Sequence, residues 1–187
     1  TINWRAKALK DQQISSMVES LGTLLRATLS NKKPLVSLDY EISLAGSYMT
    51  IQKIRFEDRL LFHVECPEEL GKALILPLTI QPLLENAIRY GMEEMMDTCE
   101  ISIRTMKEGD LLIVEVSNEG SVFEDGLLEK LQDGTKNAHG FGIGLVNIHQ
   151  RIQMLFGEAY GLSFKNKDEK AIAIITIPYK TEEDDYA

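Results

Sequence analysis

The fold of this chain is decided by the stretch Leu76-Pro-Leu-Thr-Ile-Gln-Pro-Leu-Leu-Glu-Asn-Ala-Ile-Arg-Tyr-Gly91. Proline suits the first turn of a helix, so the stretch predicts a helix from near Pro77 to Gly91. At 100° per residue, one side of this helix is apolar and is expected to pack on a sheet; it carries Ile80, Leu84, Ala87 and Ile88. The opposite side carries Pro82, Asn86, Arg89 and Tyr90.

The second of these sides is a candidate site for a metal ion and phosphate. Asn86 offers a neutral amide oxygen, which suits a hard cation such as Mg²⁺. Arg89 and Tyr90 follow three and four positions later and can reach phosphate oxygens from the same face. An amphipathic helix with a solvated polar face explains the pattern equally well. The helix alone therefore does not show whether this side binds a ligand.

The segments around this helix alternate between helical and strand patterns. Apolar residues recur at steps of three or four in segments 7–31, 37–56 and 143–156, which predicts helices, and a short one is predicted at 127–131. Strands are predicted at 59–66, 100–106, 111–117, 161–165 and 171–178. This order predicts an α+β fold, a two-layer sandwich with helices over one face of a sheet, preceded by a helix.

Two further segments have the character of ligand-binding turns. Gly140-Phe-Gly-Ile-Gly-Leu145 directly precedes a predicted helix, and its glycines let backbone N–H groups approach an anion closely. It lacks the Gly-Lys-Ser/Thr ending of a P-loop and the spacing of the dinucleotide fingerprint. Val116-Ser-Asn-Glu-Gly-Ser121 ends a strand beside a long glycine-rich loop. Taken alone, each segment is more often a turn than a site.

Composition excludes some classes of function. The net charge of −9 argues against a nucleic-acid-binding surface, which needs clustered Lys and Arg. No run approaches the roughly 20 apolar residues that a membrane-spanning helix needs. Cys66 and Cys99 lie far apart without neighbouring metal ligands, so we expect free thiols in a reducing compartment.

In this order and spacing, the three segments resemble the nucleotide-binding boxes of the GHKL superfamily (gyrase, heat-shock chaperone, histidine kinase, MutL). Ile80-Gln-Pro-Leu-Leu-Glu-Asn-Ala87 is similar to the N-box of one branch, the LytS/YesM-type sensor histidine kinases. Tyr48-Met-Thr-Ile-Gln-Lys-Ile-Arg-Phe56 resembles another segment of that branch. Glu19-Ser-Leu-Gly-Thr-Leu-Leu-Arg26 resembles the helix that follows its phosphoacceptor. The resemblance covers roughly residues 10 to 178.

The resemblance implies a Bergerat-type fold that binds ATP between its helices and a mixed sheet, under a lid formed by about residues 121–139. Asn86 would then be the Mg²⁺ ligand, with Arg89 and Tyr90 near the phosphates. The glycine box under the phosphates would comprise Gly140, Gly142, Gly144 and Leu145. Gly120 matches the first glycine of the family's Asp-x-Gly-x-Gly box, which places Asn118 where that box has its adenine-reading Asp.

Two positions depart from the family pattern. Asn118 replaces the acid, so its amide oxygen would accept from the adenine amino group without a charge, in a weaker bond. Val122 stands where the box has its second glycine, which reduces backbone freedom there.

The phosphoacceptor motif of this branch, an Asn-Pro-His-Phe sequence, does not occur in the chain. We expect it before Thr1, and none of His63, His139 and His149 replaces it. The resemblance thus implies three parts: the end of a dimerisation hairpin (1–33), the ATP-binding catalytic domain (34–180) and an acidic tail (181–187). We also expect a soluble, cytoplasmic fragment of a protein anchored in the bacterial membrane.

The implied function is that of a protein-histidine kinase, a homodimer that moves the γ-phosphoryl of ATP to a histidine and then to a response regulator. Glu85 would orient the acceptor, or it is a surface carboxylate. The alternative is a degenerate nucleotide-binding regulatory module without kinase activity. Hydrolysis is disfavoured because Pro82 stands one turn before Asn86, where a water-activating acid would be needed.

Overall fold

The structure is a computed structural model that describes residues 11–30, 33–93, 98–132 and 142–182. Its helices are α1 (Gln12–Ser30), α2 (Leu38–Phe56), α3 (Ile80–Ile88), α4 (Leu127–Gln132) and α5 (Gly142–Phe156). Its strands are β1 (Val36–Ser37), β2 (Leu60–Glu65), β3 (Leu74–Ile75), β4 (Cys99–Glu108), β5 (Leu111–Glu119), β6 (Gly161–Lys167) and β7 (Lys170–Pro178). A π-helical turn, Arg89–Glu93, continues α3.

The main sheet has five strands in the order β2-β4-β5-β7-β6. Only β2 and β4 run parallel in this sheet; the other neighbouring pairs are antiparallel. Gly109, with φ of 59°, makes the tight turn between β4 and β5. The turn between β6 and β7 has both Asp168 and Glu169 at positive φ, as two-residue hairpin loops require.

The helices form a second layer on one face of this sheet. Residues of β4 alternate between buried and more exposed, and the buried ones share a core with residues of α2, α3 and α5. That core includes Leu84, Ile101, Ile103, Val114, Ile152 and Ile175. The predicted two-layer α+β sandwich is confirmed.

Helix α1 packs along α2, with Ala27 nearly fully buried. Ser37 caps α2, since its side chain accepts a hydrogen bond from the N–H of Tyr40 across 3.3 Å. The helix predicted at 37–56 is therefore confirmed. No helix among the described residues is long and apolar enough to cross a membrane.

The structure corrects the predicted start of the helix at Pro77. The helix begins three residues later, at Ile80, because Leu78 has a left-handed backbone with φ of 58°. The preceding residues instead form β3, which pairs with β1 in a small antiparallel sheet through Val36 and Ile75. We did not expect this sheet, since strands of two residues leave too short a pattern to recognise.

Candidate nucleotide-binding site

Helix α3 connects the two ends of the candidate site. The first turn of α3 lies close to Gly144 of α5: a Cβ atom added to this glycine would lie 3.9 Å from Cβ of Pro82. At its far end, a Cβ atom on Gly91 would lie 3.3 Å from Nδ2 of Asn118 on β5. The structure thus brings the three segments singled out from the sequence together: the N-box helix, the glycine box and the end of a strand.

The apolar side of α3 is buried as predicted, with Ile80 and Leu84 fully inaccessible and Ala87 and Ile88 nearly so. Asn86 lies on the other side, yet only 4% of it is exposed. This side is not an open surface, and α5 approaches it at Pro82, where a Cβ atom on Gly144 would lie 3.9 Å from Cβ of Pro82. Among the residues that the structure describes, the Asn86 amide has no hydrogen-bond partner, so the amide group stays available to a ligand.

The remaining polar residues of α3 are half-buried. Glu85 accepts a hydrogen bond from Nε2 of Gln81, one turn earlier, across 2.9 Å. Arg89 and Tyr90 begin the π-helical turn, where the N–H of Arg89 donates to the carbonyls of both Asn86 and Glu85. π-Helical turns occur frequently at functional sites.

Asn118 is 2% exposed and has a defined orientation at the end of β5. Its Nδ2 donates to the carbonyl of Glu119 at 3.1 Å and to Oγ of Ser121 at 2.7 Å. A carbonyl oxygen can only accept a hydrogen bond. The amide atom of Asn118 that faces the carbonyl of Glu119 is therefore the nitrogen Nδ2. Oδ1 then remains able to accept from a ligand. Gly120 follows with φ of 79°, a conformation that favours glycine.

An open depression of about 620 Å³ lies beside this strand end, between residues 119–122 and the β6–β7 turn. Three carboxylates line it: Glu119, Asp168 and Glu169. Negative charges repel phosphate, so this end suits the uncharged part of a nucleotide.

The glycine box is only partly described. Gly142 is the first residue of α5, while Gly140 lies outside the described residues. Gly144 is half-buried in the first turn of α5. The Leu145 side chain is 3% exposed and belongs to the core, so only its backbone is available to a ligand. A helix N-terminus with glycines is suited to binding an anion.

Part of the predicted lid is fixed to the sheet. Asn166 of β6 accepts from the N–H of Phe123 and donates to its carbonyl, each across 2.8 Å. The rings of Phe123 and Phe164 also meet edge to face, with their centroids 4.9 Å apart. Residues 133–139 of the predicted lid, including His139, lie outside the described residues.

Sequence reasoning missed the role of Glu41, whose side chain extends from α2 to the start of α3. It is 1% exposed and accepts hydrogen bonds from the N–H groups of Leu78, Thr79 and Ile80 at 2.7, 2.9 and 3.2 Å. Burial raises the pKa of Glu41, while these donors and nearby Arg151 oppose the rise. A glutamate inside a helical segment gives no signal that it caps another helix 37 to 39 residues away.

The two described histidines have ordinary structural positions, as expected. His63 is exposed on β2. His149 of α5 is 7% exposed, and its Nδ1 accepts from the N–H of Leu162 at 3.0 Å. Cys66 and Cys99 are free thiols, as expected, and the predicted reducing compartment stays a prediction.

Comparisons with known proteins agree with this geometry. The family model for histidine kinase-, DNA gyrase B- and HSP90-like ATPases matches residues 71–181, and a histidine kinase model matches residues 1–60. Sensor histidine kinase YesM of Bacillus subtilis is 43% identical over 97% of this chain. Sensor histidine kinase BtsS of Escherichia coli K12 is 30% identical over 91% of it.

Solved structures show the same fold. The nucleotide-free catalytic domain of histidine kinase ThkA aligns with a TM-score of 0.61 at 18% identity, covering 79% of this chain and 99% of that domain. ThkA in complex with the response regulator TrrA aligns with a TM-score of 0.55 at 17% identity, covering 89% of this chain and 49% of that one.

Fold and site together define a Bergerat-type ATPase domain of the GHKL class. The chain belongs to the family of histidine kinase-, DNA gyrase B- and HSP90-like ATPases, and its curated relatives are sensor histidine kinases of the kind that its N-box resembles. The chain spans 30% of the length of YesM and 29% of that of BtsS.

Proposed function

We propose that this chain is the ATP-binding catalytic part of a sensor histidine kinase, with ATP in the cleft between α3, the start of α5 and the end of β5. The observation that carries this proposal is the buried Asn86 amide, which has no partner among the described residues and lies on the helix that joins the other two segments. Adenine would lie at Asn118, whose Oδ1 accepts from the amino group, and Gly120 would allow the close approach of the backbone.

The donor set also fits a magnesium ion bound together with ATP. Mg²⁺ prefers oxygen ligands, and at phosphate sites it takes one or two of them from the protein. The Asn86 amide oxygen would supply one, and Arg89 and Tyr90 would contact the phosphates. The backbone of Gly140, Gly142, Gly144 and Leu145 would bind them from the other side. When bound, the metal neutralises charge on the phosphates.

In the reaction, the γ-phosphoryl of ATP would move to a histidine outside this sequence and then to an aspartate of a response regulator. Phosphoryl transfer depends mostly on positioning and charge neutralisation, which Asn86 with Mg²⁺, Arg89 and the glycine-box amides would supply. A neutral histidine already carries a lone pair, so a strong general base is not required. We assign to Glu85 the orientation of that acceptor; its other candidate role is that of a surface carboxylate.

We further propose that the intact protein is a homodimer joined through helices such as α1. Four large apolar side chains of α1 form one exposed stripe: Ile14, Leu21, Leu25 and Leu29. Between 47% and 80% of each is exposed. A helix-to-helix interface would bury this stripe, and the hairpin end at 1–33 would precede the catalytic domain at 34–180. Replacing Leu21 and Leu25 by Lys should then yield monomers by sedimentation of the intact protein.

The nucleotide proposal is tested by calorimetric titration of the 187-residue chain with ATP, in Mg²⁺ and in EDTA. We expect Mg²⁺ to tighten ATP binding, and Asn86→Ala to abolish that gain. Asn86→Asp serves as the matched variant, because it keeps an oxygen ligand. A folded chain that ignores millimolar ATP with Mg²⁺ present would refute the proposal. ATP binding without phosphotransfer in the intact protein would instead indicate a regulatory module.

A further inference from the structure

The start of α3 is held in an unusual way. The first N–H groups of a helix have no partners within it and need acceptors from elsewhere. Thr79 occupies the capping position, but its hydroxyl donates to the carbonyl of Leu76 at 2.7 Å and caps nothing. Leu78, directly before it, has φ of 58°, which is strained for a residue other than glycine. An interaction from outside the helix must therefore stabilise this turn.

Glu41 of α2 supplies that interaction. Its Oε1 accepts from the N–H of Leu78, and its Oε2 accepts from those of Thr79 and Ile80. A carboxylate at this point also has a favourable interaction with the positive end of the helix dipole. A buried carboxylate is costly unless it is paired, so the side chain and the turn require each other.

A second contact reaches the same turn from α5. Nη2 of Arg151 donates to the carbonyl of Pro77 at 2.9 Å, and the positive charge of Arg151 interacts favourably with Glu41. Helix α5 begins with the glycine box, and α2 packs on α1. The turn before α3 is thus the place where the helix that carries Asn86 is joined to the other helices of the layer.

We propose that Glu41 is a positioning residue for the nucleotide site: by fixing the first turn of α3, it sets the place of Asn86 in the cleft. Asn86 lies six residues after Ile80, or about 9 Å along the helix axis, and a helix this short moves as a rigid unit. The inference rests on the proposed ATP site, and it assigns to Glu41 a role beyond stability. A displaced Asn86 would weaken the binding of the metal-nucleotide pair more than that of the nucleotide alone.

The test is the ratio of the ATP Kd in EDTA to the ATP Kd in Mg²⁺, measured on the 187-residue chain well below its Tm. Glu41→Gln keeps the size of the side chain but turns an NH₂ group toward backbone donors. We expect this variant to reduce the ratio about fivefold to tenfold, the effect of losing one ordinary hydrogen bond of about 1 kcal/mol. Amide hydrogen exchange at residues 78–80 should become faster in the same variant.

Ser37→Ala is the matched control, since it removes the cap of α2 without touching α3. It should lower Tm and leave the ratio unchanged. An unchanged ratio in folded Glu41→Gln protein would overturn the inference, and so would an equal fall in Ser37→Ala.

Arg151→Ala keeps the test decisive if Glu41→Gln does not fold, because Arg151 is exposed and folding depends less on it. We expect a twofold to threefold lower ratio, and no change would overturn the inference in that case. A wild-type chain whose ATP binding does not respond to Mg²⁺ contradicts the proposed role of Asn86 instead, so the two failures are distinguishable.

Discussion

Nδ1 of His149 accepts a hydrogen bond from the main-chain N–H of Leu162, 3.0 Å away, and ties α5 to the first residues of β6. The imidazole also leaves no space for a side chain at position 161. A Cβ atom added to Gly161 would lie only 2.5 Å from Nδ1 of His149. An accepting nitrogen carries no proton, and burial lowers the pKa of His149 below its usual value. The Nδ1 lone pair of His149 is therefore used in a structural hydrogen bond, which stabilises the contact between α5 and β6.

The first prediction concerns the pH dependence of stability. Because the pKa of His149 is lower in the folded state than in the unfolded state, its contribution to stability is complete above about pH 6.5 and is lost as the pH falls below that. His149→Asn keeps an acceptor near the position of Nδ1 and removes the titration. Urea unfolding between pH 7.5 and 5 should therefore show a shallower loss of stability in the variant than in the wild type.

The matched control is His63→Asn, which makes the same substitution at an exposed histidine of β2. Identical profiles for His149→Asn and the wild type would show that His149 protonates equally easily in both states.

The second prediction concerns adenine recognition. Asn118→Asp supplies a charged acceptor, which strengthens a hydrogen bond from the adenine amino group. The carbonyl of Glu119 then loses its donor, so a stability cost of about 1 kcal/mol is expected, while the Ser121 hydroxyl can turn to donate. Titration should give an ATP Kd several-fold lower than that of the wild type.

GTP is the control ligand, since guanine presents a carbonyl where adenine has its amino group. No gain with ATP, or an equal gain with GTP, would show that the residue at position 118 does not read the adenine amino group.

The third prediction separates ligand contact from packing at Gly144. Among the residues that the structure describes, a Cβ atom here would meet only Cβ of Pro82, at an ordinary distance of 3.9 Å. Gly144→Ala should therefore raise the free energy of unfolding by about 0.5–1 kcal/mol, because alanine favours the helix. If the backbone at Gly144 approaches the phosphates, the same change should weaken ATP binding tenfold or more, on the order of 1.4 kcal/mol.

Gly46→Ala in the middle of α2 is the matched variant, because a Cβ atom there meets no atom of the described parts of the chain within 4 Å. It should give a similar gain in stability with ATP affinity unchanged. Unchanged affinity in Gly144→Ala would remove Gly144 from the site.

The fourth prediction concerns Glu85, which is bonded to Gln81 in the structure. Glu85→Gln in the intact kinase should lower the rate of phosphotransfer about 10²-fold, the lower range for a group that acts on a proton or orients an acceptor, and leave the ATP Kd within twofold. Single-turnover transfer and titration measure the two quantities. An unchanged transfer rate would make Glu85 a surface carboxylate.

The sequence by itself determined the elements of the fold and the identity of the candidate residues. Hydrophobic periodicity is a local property, so the helices near Ser37 and Ile143 and the five long strands were predicted within a few residues. The resemblance to the nucleotide-binding boxes likewise depended on residue order, and the family match confirms it.

Only the tertiary structure decided how these parts meet. Asn86 is only 4% exposed although it lies on the polar side of α3, and the late start of α3 results from the left-handed turn at Leu78. Both depend on contacts between residues far apart in the chain, above all the bonds from Leu78, Thr79 and Ile80 to Glu41. Such contacts have no local pattern, because the acceptor and its donors become neighbours only when the layers pack.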